Sequence, residues 1–462
     1  MNIKHIFILL FGVTLFSTSC DDMEFLQIKP DNLILTDDAV ETKEDIQQLL
    51  LGAYDGIRSG GFWGGNALRG FDVIADDAIA NVATFEWVQM NNHEMNLVNA
   101  VGRDIWTNTY NAINRANQVA YSRLGEDILS AEGDNVLAEF KAEAAFIRGL
   151  GHFHLVRAFG MPYSDEHKLT VEMGVPVRTS GVLDRETAFE VIQRSTVEET
   201  YNQIITDLEF AAANLPVSHT WDSGRATVDI AKALLAKVYF NMREYSKAAQ
   251  YAREVIETNQ YELDADMTAK YAHAQNGTTT KEVVFMIPSA SINEDSWSGL
   301  RAFRTNDLAL PNYHPSPSLI NAFDHENDRR FSVFYKEIDG AWYTTRFDYE
   351  YMDGIVMGYN ELLLIYAEAA AESEMDLVDA LAALNQIEVR AYGEIKTEVA
   401  DQSIIIEATR KERRLELALL GERLFELKRL RQSVRGEPWD SRKLLFQIPD
   451  VEQSGNPDVN MN

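Results

Sequence analysis

Cys20 is the only cysteine in 462 residues, and that limits what can hold the chain together. A lone thiol makes no disulfide framework, no Cys-x-x-Cys redox pair and no thiolate zinc site. The fold must therefore be stabilised by packing, and the composition permits it: 46% of the residues are apolar and 25% are charged, ordinary values for a globular protein. The charge is one-sided, with 72 acidic against 42 basic residues and a net charge of −30. That sign is opposite to the footprint of a protein that grips a phosphate backbone, so nucleic acid is not an expected partner.

The position of the cysteine is as informative as its number. Lys4 precedes an apolar run from Ile6 to Phe16, and Ser17, Thr18 and Ser19 stand directly before Cys20. A basic start, a short apolar segment and small residues at a cleavage point describe a secretory signal peptide over residues 1–19. The run is too short for a ~20-residue membrane span. A cysteine placed immediately after it resembles the lipobox of bacterial lipoproteins, with Ser17 where lipoboxes usually carry Leu. The resemblance implies that Cys20 is acylated and that residues 20–41 are a tether. Asp21, Asp22 and Glu24 resemble the acidic signal that directs some lipoproteins to the outer face of the outer membrane. No later stretch of ~18 apolar residues occurs, so the body is expected to be soluble.

The body, residues 42–462, reads as mainly α. Thr42 with Asp45 three positions on marks a helix start. The glycine-rich run Ser59-Gly60-Gly61-Phe62-Trp63-Gly64-Gly65 reads as a loop. Helices are expected over Trp106 to Leu124 and Val136 to Phe159; in the second, Phe140, Ala144, Ile147, Gly151, Leu155 and Phe159 fall on one stripe. Further helices are expected over Thr196 to Leu215, Val228 to Met242 behind Thr227, and Tyr245 to Thr258, and a final one runs from about Ile404 to Leu430. That last segment interleaves many Arg and Glu with Leu and Phe, which suits a structural role. Ala236-x-x-Tyr239 followed by Tyr245-x-x-Ala248-x-x-x-Ala252 resembles a tetratricopeptide pair, in which small residues let two helices cross closely. Glu361 to Ala371 with Asp376 to Tyr392 repeats the arrangement. Such pairs bury their apolar faces only by stacking on neighbours, so one domain with a superhelical scaffold is expected. Residues 262–355 differ: they are rich in Pro, Asn, Asp and aromatics, with a short strand-like run from Val283 to Ile287. Long irregular segments in compact proteins are commonly functional.

Taken in order, these segments resemble the SusD/RagB family of outer-membrane nutrient-binding lipoproteins. The resemblance rests on Asp104-x-Trp106 through Asn114-Arg115-Ala116-Asn117 and on Ala142-Glu143-Ala144-Ala145-Phe146-Ile147-Arg148-Gly149-Leu150. It continues through Asp207-Leu208-Glu209, Gly224-Arg225-Ala226-Thr227, Tyr366-Ala367-Glu368-Ala369 and Arg410-Lys411-Glu412-Arg413-Arg414-Leu415-Glu416 with Gly421-Glu422-Arg423. Leu445-Phe446-Gln447-Ile448-Pro449 with Asn456-Pro457 closes it. The resemblance implies a SusD-like fold and a glycan-binding protein that is no enzyme and needs no cofactor. It would be held at the cell surface as a lid on a SusC-like TonB-dependent transporter. Peptide or another nutrient is the alternative ligand in the same transport complex. A helical scaffold without a small ligand and a glycoside hydrolase are the competing classes.

No nucleotide-binding, zinc-protease or nucleophile-elbow signature occurs. His152 and His154 are two apart on an expected helix and cannot chelate one metal together; both are expected to pack or to hydrogen-bond. Asp72, Asp76 and Asp77 form an acidic cluster whose spacing matches no EF-hand loop, so a solvated or capping role is expected and no metal site. Sugar capture needs flat aromatic faces flanked by amide, carboxylate or guanidinium groups. Two regions carry that mixture: Trp63, Phe85, Trp87, Asn91 and Asn92 in the first, and Trp297, Arg301, Arg304, Asn306, Tyr313, Trp342 and Tyr343 in the second. Trp87 and Trp297 are the foremost candidates.

Overall fold

Local signals start the helices and small residues bring them together. The computed structural model describes residues 40–81, 84–121, 123–182, 190–219, 224–305, 311 and 313–456. The signal segment, Cys20 and most of the tether therefore lie outside the described residues, as does Asn306. Thr42 opens the first helix with a reciprocal capping box to Asp45, and Thr196 does the same with Glu199, satisfying amide groups that a bare helix start leaves unpaired.

The early layer comprises α1 (Lys43–Ile57), α2 (Asn66–Ile74), α3 (Phe85–Asn92), α4 (Ala100–Ala120), α5 (Arg123–Glu132) and α6 (Asp134–Phe159). The helix expected up to Leu124 ends at Ala120 and restarts at Arg123. Then come α7 (Val197–Asn214), α8 (Val228–Met242) and α9 (Tyr245–Ile256). After the central region the chain returns to helix in α13 (Tyr359–Glu372), α14 (Leu377–Tyr392), α15 (Gln402–Glu416), α16 (Arg423–Arg429) and α17 (Asp450–Gly455). The expected mainly α class is borne out. The two tetratricopeptide-like pairs are distant in sequence but adjacent in space: α9 lies against α13, and α13 against both α14 and α15. Ala248, Ala249 and Ala252 are buried at the first crossing, and the Arg253 guanidinium donates to the Tyr366 hydroxyl across it at 2.6 Å. No helix among the described residues is long and apolar enough to cross a membrane.

The region expected to be irregular is a series of short elements. It holds α10 (Ala269–Asn276), α11 (Pro317–Ile320) and α12 (Arg329–Phe334), together with β2 (Val283–Ile287), β3 (Tyr313–Pro315), β4 (Tyr335–Ile338) and β5 (Ala341–Thr344). With β1 (Ala78–Ala80) and β6 (Gly354–Gly358) these strands form three antiparallel pairs, β1–β3, β2–β6 and β4–β5. The β1–β3 pair, with Ala78 opposite Pro315 and Ala80 opposite Tyr313, fastens the early layer to the central region.

The long final helix does not form as one piece. It breaks between Glu416 and Arg423, where Leu419 and Gly421 take positive φ of 63° and 79°. Arg346 donates to the carbonyl of Ala418 at 2.8 Å, and the Gly421 amide donates to the Asp72 carboxylate at 2.8 Å. Tertiary partners thus satisfy backbone groups that helix continuation would have satisfied.

Candidate ligand-binding site

Two loops meet at glycines, and that contact aims the first functional side chain. Gly65 sits at φ +100°, and a Cβ there would lie 2.7 Å from the Leu300 amide nitrogen, while one at Gly299 would lie 2.3 Å from the Asn66 amide nitrogen. Only residues without side chains allow this approach. Arg69, one turn into α2, then reaches across it: Nη1 donates to the Gly299 carbonyl and Nη2 to Asn66 Oδ1, each at 3.0 Å.

The Arg69 guanidinium lies between two rings. Its carbon is 4.2 Å from the Trp87 ring centroid and 4.1 Å from that of Tyr313. The rings meet edge to face at 4.8 Å. Burial pushes the guanidinium down to about 10, which leaves it charged at neutral pH. Each such contact contributes about 0.5–2 kcal/mol, more as the cation loses water. Trp87 comes from α3 and Tyr313 from β3, so the clamp joins the two aromatic regions singled out in the sequence. Asn91 donates to the Ala80 carbonyl at 2.8 Å and ties α3 to β1. Asn81, at the end of β1, bonds the His314 Nε2 at 2.8 Å.

Phe85, two positions before Trp87 and so on another face of α3, is 55% exposed and the most exposed aromatic among the described residues. Asn92 is exposed at the far end of α3. An exposed aromatic ring is thus carried on α3, and an amide and an imidazole at the β1–β3 pair. Trp87 and Tyr313 show little surface themselves.

The remaining candidates lie elsewhere. Trp297 is 1% exposed, beside Tyr271 and Phe347. Trp63 is buried too, its indole donating to the Ile355 carbonyl at 2.9 Å. The expectation that these two tryptophans offer a flat face to solvent is therefore corrected. Apolar burial of a large ring outweighs its use as a platform here, and both instead line a water-sized cavity of about 30 Å³. Trp342 is half-buried against Phe331 and His325. Tyr343 is buried on β5 near His314. Arg301 bonds Asp295 at 2.8 Å, and Arg304 is half-buried beside the same carboxylate. Arg69, Asn81 and His314 were not singled out from sequence. The one signal for Arg69 was a lone cation among the apolar residues Leu68, Phe71 and Val73.

His152 and His154 are fully buried; burial, aided by Arg148 and Arg157 respectively, pushes both imidazoles down to about 3. They are neutral and bonded to backbone, at the Arg178 amide and the Gly61 carbonyl. Asp76 and Asp77 pair with Arg414 and Arg423, in place of the expected solvated role. The same pattern continues inward. Arg413 pairs with Glu361 and Glu426, Glu422 with Arg157 and Lys237, and Arg330 with Asp328, Glu412 and Glu416. Lys428 differs, with no ion pair among the described residues. Burial, with Arg157 nearby, pushes its amine down to about 7, and Nζ donates to the Leu444 carbonyl at 3.0 Å.

A family model described as starch-binding and associating with the outer membrane matches residues 24–240, and one described as the SusD family matches residues 321–457. SusD-like protein P2 of Formosa agariphila is 26% identical over an alignment of 478 positions that covers 89% of this chain and 88% of that protein. A SusD superfamily protein of Bacteroides thetaiotaomicron superposes with a TM-score of 0.79 at 23% identity, over 91% of this chain and 100% of the other. A SusD-like carbohydrate-binding protein of Bacteroides vulgatus gives a TM-score of 0.75 at 19% identity, over 91% and 98%. At these identities the structural likeness shows the fold.

Proposed function

We propose a role that proceeds from one premise: the chain belongs to the SusD/RagB family. It captures an oligosaccharide at the cell surface, is anchored to the outer membrane by acylated Cys20, and passes its ligand to a SusC-like TonB-dependent transporter. It binds and does not cut. The observation that carries the ligand half is the exposed Phe85 ring on α3, the helix that the Arg69 clamp ties to β3 through Trp87 and Tyr313. An aromatic ring takes the apolar face of a pyranose, while Asn81, Asn92 and His314 supply partners for its hydroxyls. A helix already held by cation and rings loses little freedom on binding, so more of the contact energy appears as affinity.

The test is calorimetric titration of the soluble protein against a panel of neutral oligosaccharides, beside Phe85→Ala. Loss of one stacking platform is expected to weaken binding about tenfold or more, from about 1–3 kcal/mol of lost ring contact, with the melting temperature unchanged. Equal affinity in the two proteins would remove Phe85 from the site. Heat with peptides and none with glycans would transfer the ligand to the peptide class, and reducing ends released from a bound glycan would make the protein an enzyme.

A further inference from the structure

The ends of α6 and α16 bring cations together around one small cavity. Arg157 stands in the last turn of α6, and Lys428 and Arg429 in that of α16, where the terminal carbonyls of a helix favour positive charge. All three line a cavity of about 20 Å³ together with Met161, Tyr201 and Asn241. No Asp or Glu among the described residues lines it, although the chain as a whole has a net charge of −30. A water molecule needs about 10–15 Å³, so the cavity has room for one atom-sized occupant and not for a polyatomic anion.

One edge of the Arg157 guanidinium has no partner in the protein. Its carbon lies 4.5 Å from the Phe153 ring centroid and 4.1 Å from that of Phe425, and Nη1 donates to Glu422 at 3.1 Å. Nε and Nη2 are buried and have no hydrogen-bond partner among the described residues. Those two N–H groups share one edge of the planar guanidinium, the fork that grips anions. A buried donor left unpaired is rare and points to a partner outside the chain. Lys428 is the second unmatched group. Its Nζ, which carries three donors when protonated, donates to the Leu444 carbonyl at 3.0 Å. Burial, with Arg157 nearby, pushes the amine down to about 7, so at pH 6 it is charged. The carboxylates at the start of the same helix are engaged elsewhere: Glu422 is shared by Arg157 and Lys237, and Glu426 by Arg413 and Arg429. Tyr201 donates its hydroxyl to Asn241 at 3.1 Å, and burial raises its pKa, as it does that of Tyr163, so neither ring carries a charge. A water molecule would satisfy the Arg157 edge and leave the Lys428 charge unmatched; a monatomic anion does both. Pro162, Tyr163 and Asn241 in the cavity wall are half-buried, which gives an ion a short path from solvent.

We propose that this cavity binds a single halide ion, chloride in ordinary salt solutions, held by Nε–H and Nη2–H of Arg157 and by the Lys428 ammonium. The ion ties the end of α6 to the end of α16. Its binding and the protonation of Lys428 favour each other, because each supplies the charge the other lacks.

The experiment unfolds the full mature chain in urea at pH 6 and constant ionic strength, with sodium chloride replacing sodium gluconate, whose anion is too large for the cavity. Wild type and Lys428→Met are compared, so that effects of chloride on the rest of the protein cancel. For a dissociation constant of about 10 mM, about 150 mM chloride raises the folded-to-unfolded ratio of the wild type about sixteenfold. A much smaller rise in Lys428→Met would uphold the site, and a chloride effect of equal size in the two proteins would overturn it. A second measurement needs no variant: wild-type crystals soaked in bromide, with diffraction recorded at the bromine absorption edge. An anomalous peak within hydrogen-bonding distance of Arg157 Nε and Lys428 Nζ is expected. A water molecule at that position, or no density there, would overturn the proposal.

Discussion

Lys428→Met isolates the effect of one buried amine. The side chain keeps most of its length, and the charge disappears. In the folded chain the Lys428 amine is pushed from its ordinary 10.5 down to about 7, first by burial and then by Arg157. Between those values the unfolded chain holds a proton that the folded chain has released. Stability therefore rises with pH across that window and is lowest below its lower edge, where the fold must carry the buried charge. Integrated from about pH 6 to about pH 9, at about 1.4 kcal/mol per unit, the wild type gains roughly 2.5–3 kcal/mol that the methionine variant does not. The variant also loses the bond to the Leu444 carbonyl, at a cost of about 1–3 kcal/mol. That cost displaces the two stability curves by a constant and leaves their difference in slope intact. Urea denaturation of both proteins at the two pH values, at fixed ionic strength, measures the effect. A stability difference between variant and wild type that is equal at both pH values would refute a depressed Lys428.

Arg330 is almost wholly buried and holds Asp328, Glu412 and Glu416. Arg330→Ala leaves Asp328 and Glu412 without their cation, while Glu416 keeps Arg390, and is expected to destabilise by about 3–5 kcal/mol, read as a lowered urea midpoint; a midpoint within error of the wild type would mean that water replaces the guanidinium there. Cys20→Ser removes the proposed acylation point. Metabolic labelling with palmitate is expected to mark the wild type and not the variant, and label retained on the serine variant would refute the anchor.

Features set by a few neighbouring residues were legible in the sequence. The capping boxes at Thr42 and Thr196 are each written within four residues, and the alanines of α9 announce a close crossing wherever its partner comes from. Features that depend on distant partners were not. Leu417, Ala418, Leu419 and Leu420 continue an apolar helical pattern, yet the helix stops because Arg346 and Asp72, from other parts of the chain, take its backbone groups. The ligand face is similar. Its two aromatic regions were visible as composition, but their junction is a pair of three-residue strands, too short to leave a periodic signal. The sequence placed Trp297 ahead of Phe85. Only the packing of Tyr271 and Phe347 around the first, against the 55% exposure of the second, separates a core ring from an exposed one.

The buried charges of the C-terminal helices bear on the site through the same strand pair. Asp76 and Asp77 stand directly before β1. Their backbone carbonyls accept from the Ser316 side chain and amide just after β3, the latter at 2.8 Å, while their carboxylates hold Arg414 of α15 and Arg423 of α16. One short segment thus links the β1–β3 junction to both pieces of the broken helix. Burying such pairs gains little net energy, because desolvation offsets attraction, but breaking one is costly. Their effect is on geometry: an arginine that shifts drags the aspartates, and with them the strand that carries Asn81 and faces Tyr313. The break after Glu416 then has a structural consequence. It lets Arg414 and Arg423, nine positions apart, approach one acidic pair from two separate helical pieces. An unbroken helix would set these two residues about 13 Å apart along its axis, too far for both to reach Asp76.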